Sequence, residues 1–275
     1  MTVPVRRWLL VVFLILQVPG PAHAQECRSL FAGGQPPALR NAKLEERTTL
    51  LCNDAYAVLA SGLTRGPLWS AEHLTRRSLA GARATPRAGE FFADGRLPFD
   101  DQALLSDYRR SGYDRGHMAP AGDMPDQAAQ QQSFALSNIV PQTAELNRDT
   151  WEGIESAVRH LAGRRGTLYV VTGPAFQDTN LQALKGRVLV PTATWKAVYD
   201  PVARGAAAYL CSNANRPRCR TLSIAALASA IGLDPFPGVA DAVKRVAMRL
   251  PSPEPSPYAR HHRRSQPGMF DWLLK

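Results

Sequence analysis

The sequence is 275 residues long, 45% hydrophobic and 20% charged, with 33 Lys and Arg against 23 Asp and Glu for a formal net charge of +10. Beyond the first two dozen residues no stretch is apolar and long enough to cross a bilayer, so no spanning helix is expected there, and roughly 250 residues remain, ample for one soluble domain with a sizeable core. A basic surface attracts polyanions such as nucleic acid or acidic envelope surfaces.

Residues 1–24 read as a secretory signal. Arg6 and Arg7 form the charged start, residues 8–18 the apolar core, Pro19-Gly20-Pro21 a break, and Ala22-His23-Ala24 a small-x-small cleavage site. Cleavage there predicts an exported chain, periplasmic or secreted, that starts at Gln25 and has no stable membrane insertion. Removing Arg6 and Arg7 leaves 31 basic and 23 acidic residues, a net charge of +8. Residues 25–250 are expected to form the domain, and residues 251–275, with Arg260-His261-His262-Arg263-Arg264, a Pro-rich basic tail.

The four cysteines, Cys27, Cys52, Cys211 and Cys219, all lie after the signal, an even number in a chain read as exported. No two have the close C-x-x-C spacing of structural zinc ligands, so two disulfides are expected. Sequence permits three pairings, of which Cys27 with Cys52 and Cys211 with Cys219 are the local ones.

In chain order, residues 27–40 are rich in Gly and Pro and predict an irregular arm, followed by a mixed polar and apolar stretch over 44–54. Residues 55–59 and 68–74 read as strands around a turn over 62–67, an antiparallel hairpin. The Arg, Gly and Pro-rich stretch 80–97 shows no steady periodicity and predicts a long surface loop. A short helix is expected within 102–110 and another over 127–134, with 138–142 extended. The best helix spans 149–162, with Asp149 and Glu152 in a capping-box arrangement and Gly163 at its end. Strands are expected over 167–172, 188–191, 194–199 and 206–211, and a helix over 222–231. Successive strands with helices between them suggest an α+β fold rather than alternating βαβ units.

Chemistry concentrates in Gly112-Tyr113-Asp114-Arg115-Gly116-His117-Met118-Ala119-Pro120. Gly116 permits close backbone approach, and Pro120 stops a helix from running through. An imidazole with an ordinary pKa near 6.5 can take a proton from water at neutral pH, and Arg115 offers a fork of donors to phosphate oxygens. A second cluster holds Asn138 in Ser-Asn-Ile-Val-Pro-Gln, then Asn147, Trp151 and Glu155. If a helix begins at or just before Asn147, these three share one stripe at i, i+4 and i+8. An amide oxygen with a carboxylate nearby suits a hard cation such as magnesium, which keeps several waters and takes few protein ligands.

The run Asp114-Arg115-Gly116-His117, with Asn138, Asn147 in Leu-Asn-x-x-x-Trp, and Glu155 in this order and spacing, resembles the DNA/RNA non-specific endonuclease family. Pro67-Leu68-Trp69, Glu72-His73-Leu74-Thr75-Arg76, Val171-Thr172-Gly173-Pro174 and Val190-Pro191-Thr192 extend the resemblance over about residues 56–231. It implies a ββα-metal (His-Me finger) nuclease, with a central antiparallel sheet and flanking helices. It further implies that His117 is the general base, Asn147 the one direct protein ligand of a magnesium ion, and Glu155 the group that holds the ion's waters; manganese is the alternative ion. Asn138 would orient His117 and the site loop, Arg115 would steady the phosphate, and Asp114 would fix the loop. An upstream arginine that neutralises phosphate charge matches Arg87, in Arg-x-x-x-Phe-x-x-Asp, better than Arg83.

The reading is therefore an endonuclease that cuts DNA and RNA with little sequence preference and leaves 5′-phosphates. The named groups address phosphate rather than base edges. Its partners are the nucleic-acid substrates, and a homodimer is left open. The second reading is a catalytically degenerate nucleic-acid-binding protein of the same fold, which would need only the basic surface.

Overall fold

The computed structural model describes residues 27–177 and 179–253, and these described residues carry thirteen strands. The expected signal over 1–24, and all of the expected tail except residues 251–253, lie outside the described residues. Strands β2 (Thr48–Cys52), β3 (Tyr56–Ser61) and β4 (Gly66–Thr75) form one antiparallel meander after the short β1 (Ala38–Leu39). Residues 76–166 then leave the sheet and build the site, including β5 (Asp114–His117) and β6 (Ile139–Gln142). The chain returns as β7 (Thr167–Ala175), makes a two-residue hairpin of β8 (Ala183–Leu184) and β9 (Val188–Leu189), and completes a second meander with β10 (Ala193–Asp200), β11 (Gly205–Ser212) and β12 (Cys219–Leu222). The sheet order is β12-β11-β10-β7-β4-β3-β2, antiparallel throughout, and β13 (Leu233–Asp234) pairs with β1 apart from it.

Both faces of the sheet are covered, so β4, β7 and β10 read as nearly continuous buried runs rather than alternating ones. Along β7, Leu168 and Val170 face one layer, where Leu146, Trp151, Ile154 and Val158 pack. Val171 faces the other layer, with Phe31, Trp69, Trp195, Leu227 and Phe236. Among the described residues no helix is long and apolar enough to cross a membrane.

The helices are α1 (Arg76–Ala84), α2 (Leu105–Tyr108), α3 (Gln127–Ser133), α4 (Glu152–Arg165), α5 (Ile224–Ile231) and α6 (Asp241–Arg245). Three of them correct the sequence reading. The first part of the expected loop 80–97 is helical, because Thr75 and Ser78 close a capping box ahead of α1. Leu79 is its single buried residue, so no apolar period announces it. The helix expected over 149–162 is α4, and Asp149 does not cap it. It is entered through a π-helical turn, Leu146–Trp151, and runs past Gly163 to Gly166, whose φ of 96° suits glycine. The segment expected as helix from 222 begins only at Ile224, capped by Ser223, while Leu222 ends β12. Edge strands β2 and β12 were not expected at all. Both are short, partly exposed and lack clean alternation.

Two disulfides, Cys27–Cys52 and Cys211–Cys219, join the local pairs. The first fastens the N-terminal arm to edge strand β2 and seats Phe31 edge-on against Trp69 at 5.9 Å. Its two cysteines are 25 residues apart. Closing such a loop contributes about 3.5 kcal/mol in the chain-entropy model. The Cys27→Ser/Cys52→Ser double variant is expected to lose stability of that order in denaturant titration; an unchanged midpoint would contradict it.

Candidate active site

The finger begins with two strands. In the β5–β6 register Asp114 faces Gln142, Arg115 faces Pro141, Gly116 faces Val140 and His117 faces Ile139. Alternation then puts Asp114 and Gly116 on one face of the ribbon and Arg115 and His117 on the other. Gly116 has a steric reason: a Cβ there would overlap the carboxamide of Gln142. Gln142 is fully buried and reaches the sheet through Thr194 Oγ1 at 3.4 Å, so it has nowhere to move. Gly116→Ala is expected to cost on the order of 1–3 kcal/mol, read as a lowered melting temperature; an unchanged melt would show that Gln142 yields.

On the opposite face His117 is only 8% exposed. Its ring packs against Phe134 edge-on at 4.9 Å and Phe91 at 5.4 Å. Burial, then the positive charges of Arg87 and Arg115, lower its pKa to about 3, so the imidazole is neutral. Its Nε2 is buried and makes no hydrogen bond within the protein. The Arg115 guanidinium lies 4.2 Å from the centroid of the Phe91 ring, which holds a long side chain over the cleft.

Asn138 was expected to orient His117. Its side chain makes four hydrogen bonds, from Ser70 Oγ (2.8 Å) and Ala119 N (3.0 Å) to Oδ1 and from Nδ2 to Ala119 O (2.9 Å) and Ser133 O (2.8 Å). None goes to the imidazole. Fully buried, Asn138 holds the backbone just after His117 and acts on that residue only through the chain.

Asn147 sits in the π turn, and Asp114 sets its orientation. Asp114 takes a two-pronged bond from Arg148 (2.7 and 2.6 Å) and a third from Asn147 Nδ2 (3.1 Å). Burial opposes the Asp114 charge, but the bonds from Arg148 and Asn147 outweigh it and hold the carboxyl below its usual range. A carboxylate only accepts, so the amide NH2 of Asn147 must face it and the carbonyl oxygen is turned elsewhere.

The expected stripe of Asn147, Trp151 and Glu155 is not formed. Trp151 is buried in the core, its ring 5.7 Å from Lys196 Nζ, while Asn147, Glu152, Glu155 and Arg159 line the cleft. The π turn is the cause: its i to i+5 spacing brings Glu152 into line with Asn147 and turns Trp151 inward.

Glu155 titrates at about 7. Burial is the largest cause; Lys196 and Arg159 oppose it, and the charges of Asp123 and Glu152 add to it. Glu152 Oε2 is buried with no hydrogen-bond partner. A carboxyl pushed this high, a second with an unpaired oxygen and a directed amide oxygen form an all-oxygen donor set that fits a hard divalent cation. Among the described residues no three His, Cys, Asp or Glu side chains converge as a metal cage.

A cleft of about 900 Å³ joins these groups. It is lined by Arg87, Phe91, Arg115, His117, Asn147 and Glu155, among others. Of the two upstream arginines, both exposed, Arg87 lines it, with Cζ 6.0 Å from the Phe134 ring, whereas Arg83, on α1, is not among its lining residues. Sequence reasoning gave no role to Phe91 or Phe134, although the quoted Arg-x-x-x-Phe spacing already carried Phe91. It also missed Arg148, Arg159 and Asp123, the last two paired at 2.8 Å beneath Glu155's helix.

A ββα finger with a buried neutral imidazole, set against a seven-stranded antiparallel sheet, defines a ββα-metal nuclease fold. Residues 37–242 match the family model described as DNA/RNA non-specific endonuclease, and the chain belongs to that family. It is 39% identical over 126 residues to "Nuclease 1, mitochondrial" of Schizosaccharomyces pombe, covering 45% of this chain and 39% of that protein. It is 36% identical over 160 residues to "Nuclease C1" of Cunninghamella echinulata var. echinulata, covering 54% and 64%. With "Endonuclease G, mitochondrial" of Bos taurus it shares 32% over 185 residues, covering 63% and 62%. The chain thus spans between about two-fifths and two-thirds of these relatives' lengths. A solved structure of an EndoG/EndoGI complex contains a chain that superposes with a TM-score of 0.68 at 26% identity, covering 82% of this chain and 96% of that one.

Proposed function

We propose that the protein is a magnesium-dependent endonuclease that hydrolyses the phosphodiesters of DNA and RNA with little sequence preference and leaves 5′-phosphates. The observation that carries this is the neutral, buried His117, its Nε2 unpaired, in one cleft with Asn147, Glu155 and the guanidiniums of Arg87 and Arg115.

His117 takes a proton from the attacking water. It needs no prior deprotonation, because burial keeps it neutral. Arg115, braced on Phe91, and Arg87 meet the charge that grows on the phosphate oxygens. Asp114 turns the Asn147 carbonyl outward, and Asn138 fixes the backbone after His117. Asn147 Oδ1 would hold a magnesium ion directly, and Glu155 its waters. When bound, the ion neutralises charge at the scissile phosphate and beside the departing oxygen. Family membership and the mitochondrial relatives leave cellular location to the sequence, and we place the protein in the exported class on its charged and apolar N-terminal run together with its two disulfides.

The pH dependence tests the base. A base must be neutral to act, so activity is lost as pH falls through its pKa, and a lowered pKa moves that loss to more acid pH. Glu155, pushed up to about 7, protonates over the same range, so the base is read in Glu155→Gln at saturating magnesium, where relative kcat/KM is expected to hold from pH 7 to pH 5. An ordinary imidazole would be about 3% neutral at pH 5 and activity would drop about 30-fold. An acid limb near pH 6.5 that persists in Glu155→Gln would contradict the buried, neutral base.

A further inference from the structure

Between Asp200 and Asp234 the sequence contains no acidic residue, yet it carries Arg204, Arg216, Arg218 and Arg220. Three of these cluster on or beside the loop closed by Cys211–Cys219, and all three are exposed. Most other arginines whose side chains are paired answer a carboxylate, as Arg96 does Asp94 and Arg187 does Asp107. The side chains of Arg216, Arg218 and Arg220 make no hydrogen bond or ion pair among the described residues.

The loop that carries them is fixed, and it is fixed to the finger. Besides the disulfide, Ser212 N donates to Arg218 O and Arg218 N to Ser212 Oγ, each at 3.0 Å. Asn213 is the hub. Its Nδ2 donates to Pro141 O (3.0 Å) and Pro191 O (2.9 Å), and its Oδ1 accepts from Thr143 N (2.9 Å). Thr143 Oγ1 donates to Ala214 O at 3.0 Å. Pro141 is the strand partner of Arg115, and Thr143 O accepts from Asn147 N at 2.9 Å. The loop is therefore two hydrogen bonds from Asn147. Arg216 follows Ala214 by two residues, so their Cα atoms are at most about 7.6 Å apart. Arg218 and Arg220 also line a groove of about 370 Å³ with the polar side chains of Gln177, Thr192 and Ser212.

We propose that the Cys211–Cys219 loop with Arg216, Arg218 and Arg220 is a second phosphate-binding surface, which takes the nucleic-acid backbone where it leaves the catalytic cleft. This rests on the nuclease reading above. Unpaired guanidiniums held by a rigid loop lose little freedom on meeting phosphate, and each phosphate neutralised releases counterions. The arginines address backbone only, so they add affinity without sequence preference. The disulfide keeps the loop shaped, and opening it loosens the surface without removing a charge.

The test measures binding of a long DNA duplex by the full chain in the His117→Ala background, as a function of salt. Wild-type loop and Arg216→Ala/Arg218→Ala/Arg220→Ala are compared, with Arg204→Ala, in the turn at the opposite end of β11, as a charge control. Each lost phosphate contact should reduce the slope of log K against log salt by about 0.9, so the triple variant is expected to lose about 2 to 3 in slope. Arg204→Ala should lose almost nothing. Cys211→Ser/Cys219→Ser, which keeps all three arginines, should bind more weakly than the parent. In the His117 form, the triple variant should raise KM for long substrates and leave kcat unchanged. An unchanged slope in the triple variant, or an equal loss per charge in Arg204→Ala, overturns the loop as a binding surface. Those results would leave the nuclease reading standing if the wild-type chain cleaves; failure of the wild type to cleave any nucleic acid strikes that reading instead.

Discussion

His117→Ala is expected to bring cleavage to about one per cent of wild type or below while leaving affinity for nucleic acid nearly unchanged. A positioned base contributes roughly 100-fold to 10,000-fold by acting on a proton in the transition state. Ground-state attraction comes from Arg87, Arg115, the other basic side chains and the cation, none of which this substitution removes. The structure adds a reason for the size of the loss: among the described residues no other imidazole lines the cleft, and its carboxylates are Asp114, tied to Arg148 and Asn147, and Glu152 and Glu155, on the proposed cation side. Because the ring fills space between Phe91 and Phe134, circular dichroism and a thermal melt must accompany the rate measurement. Cleavage within a few-fold of wild type by a folded variant would remove His117 from the role of base.

Asn147→Ala should lose activity through the cation. If, as proposed, Asn147 is the one direct protein ligand, the site has no replacement for the amide oxygen. Loss of even an outer-shell partner weakens metal sites about 10-fold to 100-fold, so the magnesium concentration for half-maximal rate should rise by at least that range. Added magnesium should restore part of the rate. Asn147→Asp is expected to fail as well, because the new carboxylate has no N–H to donate to Asp114 across the 3.1 Å contact and is repelled by it. Direct titration of the cation by calorimetry reads the same defect without turnover. Wild-type activity of Asn147→Ala at low magnesium would place the ligand elsewhere.

Much of the site was legible in the sequence because its parts are local. Asp114 to His117 lie on one four-residue strand, and Pro120 and Gly112 bracket it. The spacing to Asn138, Asn147 and Glu155 is carried by the next strand and the helix. The π turn was not legible, since a stripe drawn at i, i+4 and i+8 presumes an unbroken α-helix, and Trp151 was assigned to the wrong face. The aromatic wall around His117 was missed for another reason: Phe91 and Phe134 come from irregular segments, where no periodicity shows which way a side chain points. In the fold, the β3–β4 hairpin and strands β7, β10 and β11 followed from β-branched and aromatic runs bounded by turn residues. Helix α1 escaped because capping by Thr75 and Ser78, rather than an apolar face, establishes it. The edge strands β2 and β12 are specified by pairing and by their disulfides, which are tertiary features.

The most direct measurement is cleavage itself: purified chain with supercoiled plasmid and with RNA, in magnesium and in excess chelator, with the product ends examined. The account predicts that both substrates are cut at many sites only in the presence of the cation, and that the products can be religated without added phosphorylation because they carry 5′-phosphates and 3′-hydroxyls. Undiminished cutting in chelator, or no cutting of either nucleic acid with magnesium present, would contradict it.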